Sequence, residues 1–382
     1  MKSACKILSL ALALVFCLGC FAACGGGAGD KTIIIGGSGP LTGANSQYGD
    51  AVLKGAQLAV DEINEAGGYN GYTFKLQMIQ DDCDAVKAEN AYNALFDQGM
   101  KVSIGSVTSG AAKAFATAAK DDGIFCLTPS ASADDVIGAG NHSFRVCFGD
   151  PQQGVIAANE LVTAKGFTKI GVIYDTSDTY SAGLYQAFEE RMTELEKVKG
   201  TDYVVYTFTK ENNTDFTQQV TELKNFGCDA IFLPIYYGEA ALIAKAAATM
   251  VELKDAPILG CDGLDGIAGQ LDSSVTAEVR YITPFDINST EKNVADFVAA
   301  YKAKYNMDPN QFAADAYVAV MIIYKAMQAG MIDPAASASE ICTALSAVLT
   351  GGEFKYSGLT GDNMTWMETG SVEKEAKIIK VQ

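Results

Sequence analysis

Residues 101–135 read KVSIGSVTSGAAKAFATAAKDDGIFCLTPSASADD and hold two short apolar runs, Val102–Ile104 and Ile124–Leu127. Each run is followed at once by small hydroxylic residues and then by a helix-like segment, a pattern that predicts a buried strand leading into a helix. Loops of this kind direct several backbone N–H groups and hydroxyls at one point, where a small anion can bind. The segment therefore predicts two adjacent βα units with a shared polar site.

Three serines of these loops are candidate ligand-binding residues: Ser109, Ser130 and Ser132. Their hydroxyls can donate to a carboxylate, while free carbonyls nearby can accept from an ammonium group, so the two loops suit an amino acid. The alternative is that the serines serve only as helix caps and turn formers.

The composition describes an ordinary globular protein with room for two domains, since 382 residues contain 49% hydrophobic and 19% charged residues. A formal net charge of −18 leaves no basic face for phosphates. We therefore expect no nucleic-acid partner, whereas binding of a small zwitterion depends only on local donors and acceptors.

The first 24 residues have the features of an export signal. Lys2 and Lys6 precede an apolar run, which ends in Ala22-Ala23-Cys24 and a glycine-rich segment. This form resembles the lipobox of bacterial lipoproteins, which implies lipidation of Cys24, a flexible tether over residues 25–30, and an exported protein anchored by lipid on the outer face of the cytoplasmic membrane. Plain export with cleavage nearby is the alternative.

The sequence contains few of the residues and motifs that catalysis or metal binding requires. After removal of the signal and lipidation of Cys24, six cysteines remain, none in a C-x-x-C pair, and His142 is the single histidine. No G-x-S-x-G motif is present, and the glycine-rich loop after the first strand has Pro40 and Thr42 where a dinucleotide site needs a donor and a glycine. We expect no enzyme activity, no metal and no cofactor.

Strand and helix patterns alternate through the chain in two complete sets. The first set ends in an apolar strand over residues 141–148, and Asp150-Pro151 then predicts an N-cap and first turn of a helix that opens the second set. The elements after residue 284 are too few for a third domain, so we expect them to return to the first two. This organisation predicts two doubly wound α/β lobes, connected more than once and able to close by hinge motion.

Six motifs in chain order carry a family resemblance: GPLTG with QYG (39–49), GAQLAVDEIN (55–64), DDC (81–83), GSVTSG (105–110), PSAS (129–132) and FLPIYY (232–237). Together they resemble the branched-chain amino-acid binding proteins of ABC transporters over nearly all of the chain after the signal. The resemblance implies a type I periplasmic-binding-protein fold, in which three crossing strands join two lobes around a ligand. We expect residues 31–149 and 285–350 to form lobe 1, and residues 150–284 and 351–382 to form lobe 2.

The resemblance also implies site residues. Ser109 and the segment Ser130, Ala131 and Ser132 match positions that hold the ligand's carboxylate and ammonium groups, and Asp262 stands where an acidic partner of the ammonium is common. Aromatic surface would come from four positions: Tyr48, Tyr180, Tyr236 and Phe312. The open alternatives are a simple Asp-Gly turn for Asp262 and a core helix position for Phe312.

One departure from the family pattern concerns Cys83. In the better-known members this cysteine is bridged, and the partner position is Thr108 here, so we expect a free thiol. The implied function is a monomeric receptor that captures a branched-chain or other aliphatic amino acid and delivers it to an ABC permease. A ligand-binding module of a sensory system, or a receptor for a short amide or urea, stays open as an alternative.

Overall fold

The computed structural model describes residues 31–138, 140 and 142–381. The predicted signal peptide, the lipidation site Cys24 and the tether lie outside the described residues. From Ile33 onward, the described residues form one compact unit. No helix in this part of the chain is long and apolar enough to span a bilayer.

The first sheet has five strands: β1 (Thr32–Gly39), β2 (Thr73–Gln80), β3 (Val102–Ser106), β4 (Phe125–Thr128) and β5 (Ser143–Arg145). Their order is β2-β1-β3-β4-β5, and β1, β3, β4 and β5 pair in parallel. Strands β3 and β4 are entirely buried, as their unbroken apolar patterns predict. Both strands of the 101–135 segment thus lie side by side in the middle of a parallel sheet.

Six helices accompany the first sheet: α1 (Ser46–Glu65), α2 (Ala85–Asp97), α3 (Ser109–Asp121), α8 (Lys292–Tyr305), α9 (Gln311–Ala329) and α10 (Ala338–Thr350). Asp84 caps α2 by accepting from Lys87 N at 2.9 Å. Helices α1 and α9 pack so closely at Gly55 that a Cβ there would lie 2.0 Å from the Ala313 carbonyl oxygen. The late helices therefore return to the first lobe.

The second sheet has six strands: β6 (Ile170–Asp175), β7 (Tyr203–Phe208), β8 (Ala230–Leu233), β9 (Ile258–Gly260), β10 (Val279–Thr283) and β11 (Lys377–Lys380). Their order is β11-β10-β9-β8-β6-β7, and only β11 runs antiparallel to its neighbour. The helices of this half are α4 (Asp150–Ala158, continued as a π-helix over Asn159–Ala164), α5 (Thr179–Glu194), α6 (Thr217–Phe226) and α7 (Tyr237–Ala248). The prediction of two parallel-sheet α/β lobes is confirmed.

Three segments connect the two halves, as predicted, but their residues lie outside the strands: 146–149, 284–291 and 351–376. The last segment contacts both lobes. Trp366 Nε1 donates to the Arg145 carbonyl oxygen at the end of β5, at 2.9 Å, whereas β11 joins the second sheet. The lobe boundaries, including the assignment of residues 351–382 to lobe 2, stay predictions.

Asp150 was predicted to be the N-cap of helix α4, but the helix begins one residue earlier than this prediction. Gly149 holds the N-cap position, Asp150 is the first helical residue, and Pro151 lies in the first turn. The Asp150 backbone N–H donates to the Ser132 carbonyl oxygen at 3.1 Å, and its side chain is buried instead of capping the helix. The predicted strand before it is also shorter, since β5 covers only Ser143–Arg145.

A buried ion pair lies where the connecting segments meet. Lys374 Nζ is 2.9 Å from Asp315 Oδ1 on α9, and the exposed fractions of the two side chains are 0% and 4%. The same Nζ donates to the Val146 carbonyl oxygen at 2.9 Å and to Thr360 Oγ1 at 3.1 Å. All three donors of the ammonium group are thus used, and Lys374 ties the first connection to the third.

We predict that Lys374→Ala lowers the free energy of unfolding by about 3–5 kcal/mol, because it leaves the Asp315 carboxylate buried and unpaired. Urea unfolding measures the change. Lys292→Ala is the control, since Lys292 and Asp296 form an exposed pair whose loss costs at most about 1 kcal/mol. Equal effects of the two substitutions would contradict a structural role of the buried pair.

Candidate ligand-binding site

A small cavity lies between the carboxyl ends of the two sheets, where open α/β sheets bind their ligands. Its free volume is about 20 Å³, and it is bordered by residues of both lobes: Tyr48, Val107, Thr108, Ser109, Ser130, Tyr180, Tyr236, Asp262, Gly263 and Phe312. Seven of the nine predicted ligand-binding residues are among them. A groove of about 1210 Å³ elsewhere on the surface opens widely to solvent and contains none of the nine.

The first lobe brings hydroxyls and a helix N-terminus to this cavity. Ser109 is the first residue of α3, and among the described residues its Oγ accepts from Ala133 N at 3.3 Å, which leaves the hydroxyl proton for donation. The Ser130 hydroxyl donates to the Val107 carbonyl oxygen at 2.7 Å and is left with acceptor capacity. Thr108 precedes α3 without capping it by its side chain, and its buried hydroxyl has no partner among the described residues. The N–H groups of the first turn of α3 favour an anion here.

Two predicted residues lie behind the cavity instead of on its wall. Ala131 is 1% exposed and its N–H donates to Thr128 Oγ1 at 3.1 Å. Ser132 is fully buried; its carbonyl oxygen accepts from Arg145 at 2.7 Å, while its hydroxyl has no partner among the described residues. The loop after β4 is therefore held by its backbone, and Ser130 presents its side chain to the cavity.

Aromatic rings form the apolar wall. The Tyr48 ring centroid is 4.7 Å from that of Phe312 and 5.5 Å from that of Tyr236, and Tyr236 stacks on Tyr180 at 5.1 Å. Phe312 both borders the cavity and belongs to the hydrophobic core, so its position is compatible with either interpretation, and its binding role stays a prediction. The wall combines rings from α1 and α9 with rings from the second lobe.

Asp262 contributes a carboxylate to the opposite side of the cavity. It begins a short 3₁₀ turn, Asp262–Leu264, so the turn interpretation is correct, and the side chain is nevertheless buried. Its Oδ1 accepts from the Tyr180 hydroxyl at 2.7 Å, and no ion pair involves it among the described residues. Burial raises the pKa of Asp262 to about 6, while hydrogen bonds from Tyr180 and Gln153 act in the opposite direction.

The two lobes also contact each other directly around the cavity. The Tyr48 hydroxyl donates to the Gly263 carbonyl oxygen and accepts from Tyr237 N at 3.1 Å. Gln311, the first residue of α9, donates through Nε2 to the Asp262 carbonyl oxygen at 2.8 Å and through its backbone N–H to Asp265 at 2.9 Å. The structure is thus a closed form, with the cavity shut between the lobes.

Three residues that border the cavity were not predicted from the sequence. Thr108 and Val107 border the cavity beside the predicted Ser109, and Gly263 does so beside Asp262. Gly263 has a steric reason, because a Cβ there would lie 2.7 Å from the Tyr180 hydroxyl oxygen. A position within two residues of a predicted site residue is the one signal that could have identified all three.

Cys83 is free, as predicted, and so are the other cysteines of the described chain. Asn45 Nδ2 lies 3.6 Å from its sulfur, and burial raises the pKa of the thiol to about 11. The loop therefore carries a protonated thiol where a disulfide was a possibility. Within the described residues, no group of three or more His, Cys, Asp or Glu side chains could hold a metal ion.

Comparison with known proteins places this geometry in a family. A sequence model of the periplasmic binding protein family matches residues 32–382. The Leu/Ile/Val-binding protein homolog 3 of Brucella melitensis is 30% identical over 316 residues, which are 81% of this chain and 82% of that protein.

Two solved structures show the same fold. A leucine binding protein from Thermotoga maritima has 25% identity and a TM-score of 0.79, covering 91% of this chain and 94% of its own. A branched-chain amino acid transporter substrate binding protein from Streptococcus pneumoniae, in complex with isoleucine, has 29% identity and a TM-score of 0.77, covering 92% and 100%. The two-lobed chain described here therefore belongs to the periplasmic binding protein family.

Proposed function

We propose that this protein is an extracytoplasmic receptor that captures a branched-chain or other aliphatic amino acid and delivers it to an ABC permease. The observation that carries the proposal is the polarity of the cavity. Ser109 and the N-terminus of α3 supply donors on one lobe, and the unpaired carboxylate of Asp262 lies on the other. This arrangement is complementary to a zwitterion whose carboxylate and ammonium groups point to opposite lobes.

The apolar wall sets the class of ligand. Tyr48, Tyr236 and Phe312 offer ring faces and no charge to a side chain. The free volume of the cavity in this closed form is about 20 Å³, far below the range of about 300–1,000 Å³ of drug-sized ligand sites, so the lining and not the volume defines the class of ligand. The names of the relatives, which include leucine, isoleucine and valine, agree with this class.

Capture follows from the contacts between the lobes. Tyr48 and Gln311 bind the turn at Asp262 and Gly263 only when the cleft is shut, so these bonds form on closure. A bound amino acid would add its own bonds to both lobes and shift the equilibrium toward this closed form. We propose that the protein acts as a monomer, without cofactor and without catalysis, because binding and release are the whole task of such a receptor.

Calorimetric titration tests the ligand class. With L-leucine, L-isoleucine, L-valine and L-alanine we expect saturable heats for at least one branched-chain amino acid, and with acetamide and urea none. Flat traces for all four amino acids would contradict the proposal, and saturation by acetamide or urea would favour the short-amide alternative. Deletion of the partner permease separates transport from sensing, since uptake of the labelled ligand is lost only in the first case.

The Asp262 carboxylate makes a prediction about pH. Because the pKa of Asp262 is raised to about 6, this group takes up a proton as the pH falls from 7 to 5, and the neutral form attracts an ammonium group less. We expect the affinity for the amino acid to fall about tenfold over this range. Asp262→Asn should bind more weakly at pH 7 and depend less steeply on pH. Equal slopes for the wild type and the variant in calorimetry would remove Asp262 from the site.

Lipid anchoring at Cys24 remains part of the proposal, because the residues concerned lie outside the described chain. The support is the sequence Ala22-Ala23-Cys24 after an apolar run. We expect Cys24→Ser to move the protein from the membrane fraction to the soluble extracytoplasmic fraction, measured by fractionation and immunoblot. An unchanged distribution would contradict the lipid anchor and leave the ligand proposal untouched.

A further inference from the structure

Asp265 carries a buried carboxylate of the second lobe that does not border the cavity. It follows the turn Asp262–Leu264, between β9 and β10, and is 8% exposed. Its Oδ2 accepts from the Gln311 backbone N–H at 2.9 Å. Gln311 is the first residue of α9, the helix that packs against α1 in the first lobe. A carboxylate of one lobe therefore binds the N-terminus of a helix of the other lobe.

The electrostatics of this contact favour a carboxylate. Helix α9 has 19 residues, and the N–H groups of its first turn carry partial positive charge. Burial raises the pKa of Asp265 to about 6. Hydrogen bonds from the Gln311 N–H, the Tyr281 hydroxyl and the Gly266 N–H act in the opposite direction, and none of these groups is a cation. The N-terminus of α9 is therefore the positive end that this buried charge meets in the first lobe.

The contact joins two segments that both border the cavity. Phe312 directly follows Gln311 on α9, and Asp262 lies three residues before Asp265; both Phe312 and Asp262 are among the lining residues. Gln311 also donates through Nε2 to the Asp262 carbonyl oxygen at 2.8 Å. Two bonds thus hold the ring of the first lobe against the acidic turn of the second. Because the partners belong to different lobes, opening of the cleft would break both bonds.

We propose that Asp265 is a positioning residue for ligand capture, whose carboxylate docks on the N-terminus of α9 and stabilises the closed cleft. This inference rests on the proposed function, because it presupposes a small ligand in the cavity. Asp265 does not line the cavity, so it acts through the population of the closed form and not through a ligand group. A smaller closed population weakens every ligand by the same factor, whereas loss of the Asp262 charge weakens only ligands that carry an ammonium group.

The test compares the tightest-binding amino acid with its 2-hydroxy analogue, which keeps the carboxylate and side chain but replaces the ammonium by a hydroxyl. For leucine the analogue is 2-hydroxy-4-methylpentanoate, measured by competition calorimetry. We expect Asp265→Ala to weaken both ligands equally, by about tenfold, through loss of the contact with the helix N-terminus. Asp265→Asn keeps an acceptor oxygen and loses the charge, so it should weaken both by about threefold. Asp262→Asn should weaken chiefly the amino acid.

Two controls separate closure from folding and from charge. Asp215→Ala makes the same change at another helix start, because Asp215 Oδ1 accepts from the N–H of Thr217, the first residue of α6, at 2.9 Å. Both partners there belong to the second lobe, so the affinity for both ligands should stay unchanged. The unliganded Asp265→Asn protein should melt cooperatively and near the wild-type temperature, because the near-isosteric amide keeps an acceptor at the same place.

The outcomes for the inference and for the proposed function are distinguishable. If the wild type binds and Asp265→Ala binds equally well, only the inference is overturned. Loss of the amino acid without loss of the hydroxy analogue would also overturn it, as would loss of cooperative melting in both Asp265 variants. If the wild type binds no amino acid, the proposed function fails. Small-angle scattering of the unliganded proteins then decides the docking, and a radius of gyration of Asp265→Ala no larger than that of the wild type would overturn it.

Discussion

The hydroxyl group of Tyr48 joins the two lobes of this protein beside the candidate binding cavity. It donates to the Gly263 carbonyl oxygen and accepts from Tyr237 N, so one side chain of α1 binds both the turn after β9 and the start of α7. Burial raises the pKa of Tyr48 well above its usual range, which keeps the donor protonated. The size of the cavity and the placement of Asp262 both depend on this contact, because it fixes the turn against the first lobe.

Buried charge in this protein is satisfied in different ways at the connections and at the cavity. At the connections, Lys374 is matched to Asp315 and to two neutral oxygens, so a fully buried cation is fully satisfied. Asp81 is buried without a cation among the described residues, and the Ser38 and Ser106 hydroxyls donate to it instead. At the cavity, Asp262 accepts from the Tyr180 hydroxyl and has no ion pair among the described residues, so it is the carboxylate that the ammonium group of the proposed ligand would pair with.

Much of the fold could be predicted because each element satisfies a local rule. Hydrophobic periodicity and bounding turn residues directly indicate helix α9 (Gln311–Ala329) and strand β7 (Tyr203–Phe208). The predictions were less accurate at the connections, where packing and not periodicity sets the ends. The strand over residues 141–148 shortens to Ser143–Arg145, and Trp366 attaches part of the last segment to the first lobe.

Only those residues of the candidate site that lie in family motifs or follow strands could be predicted. Ser109, Ser130, Tyr236 and Asp262 follow strands directly, and parallel strands bring their carboxyl ends to one edge. Ser132 shows the limit, because residues 129–133 form an irregular loop after β4, and the conformation of that loop decides which hydroxyl faces the cavity.

The burial of the Asp150 side chain could not be predicted from the sequence. In the sequence, Asp150-Pro151 is an ordinary helix start, and nothing distinguishes a capping carboxylate from a buried one. The distinction arises only when β5 ends at Arg145 and Gly149 takes the N-cap, which turns the side chain inward against Gly183. The burial of this carboxylate is therefore visible only in the folded chain, whereas Ser109 and Asp262, which follow strands, could be predicted from the sequence.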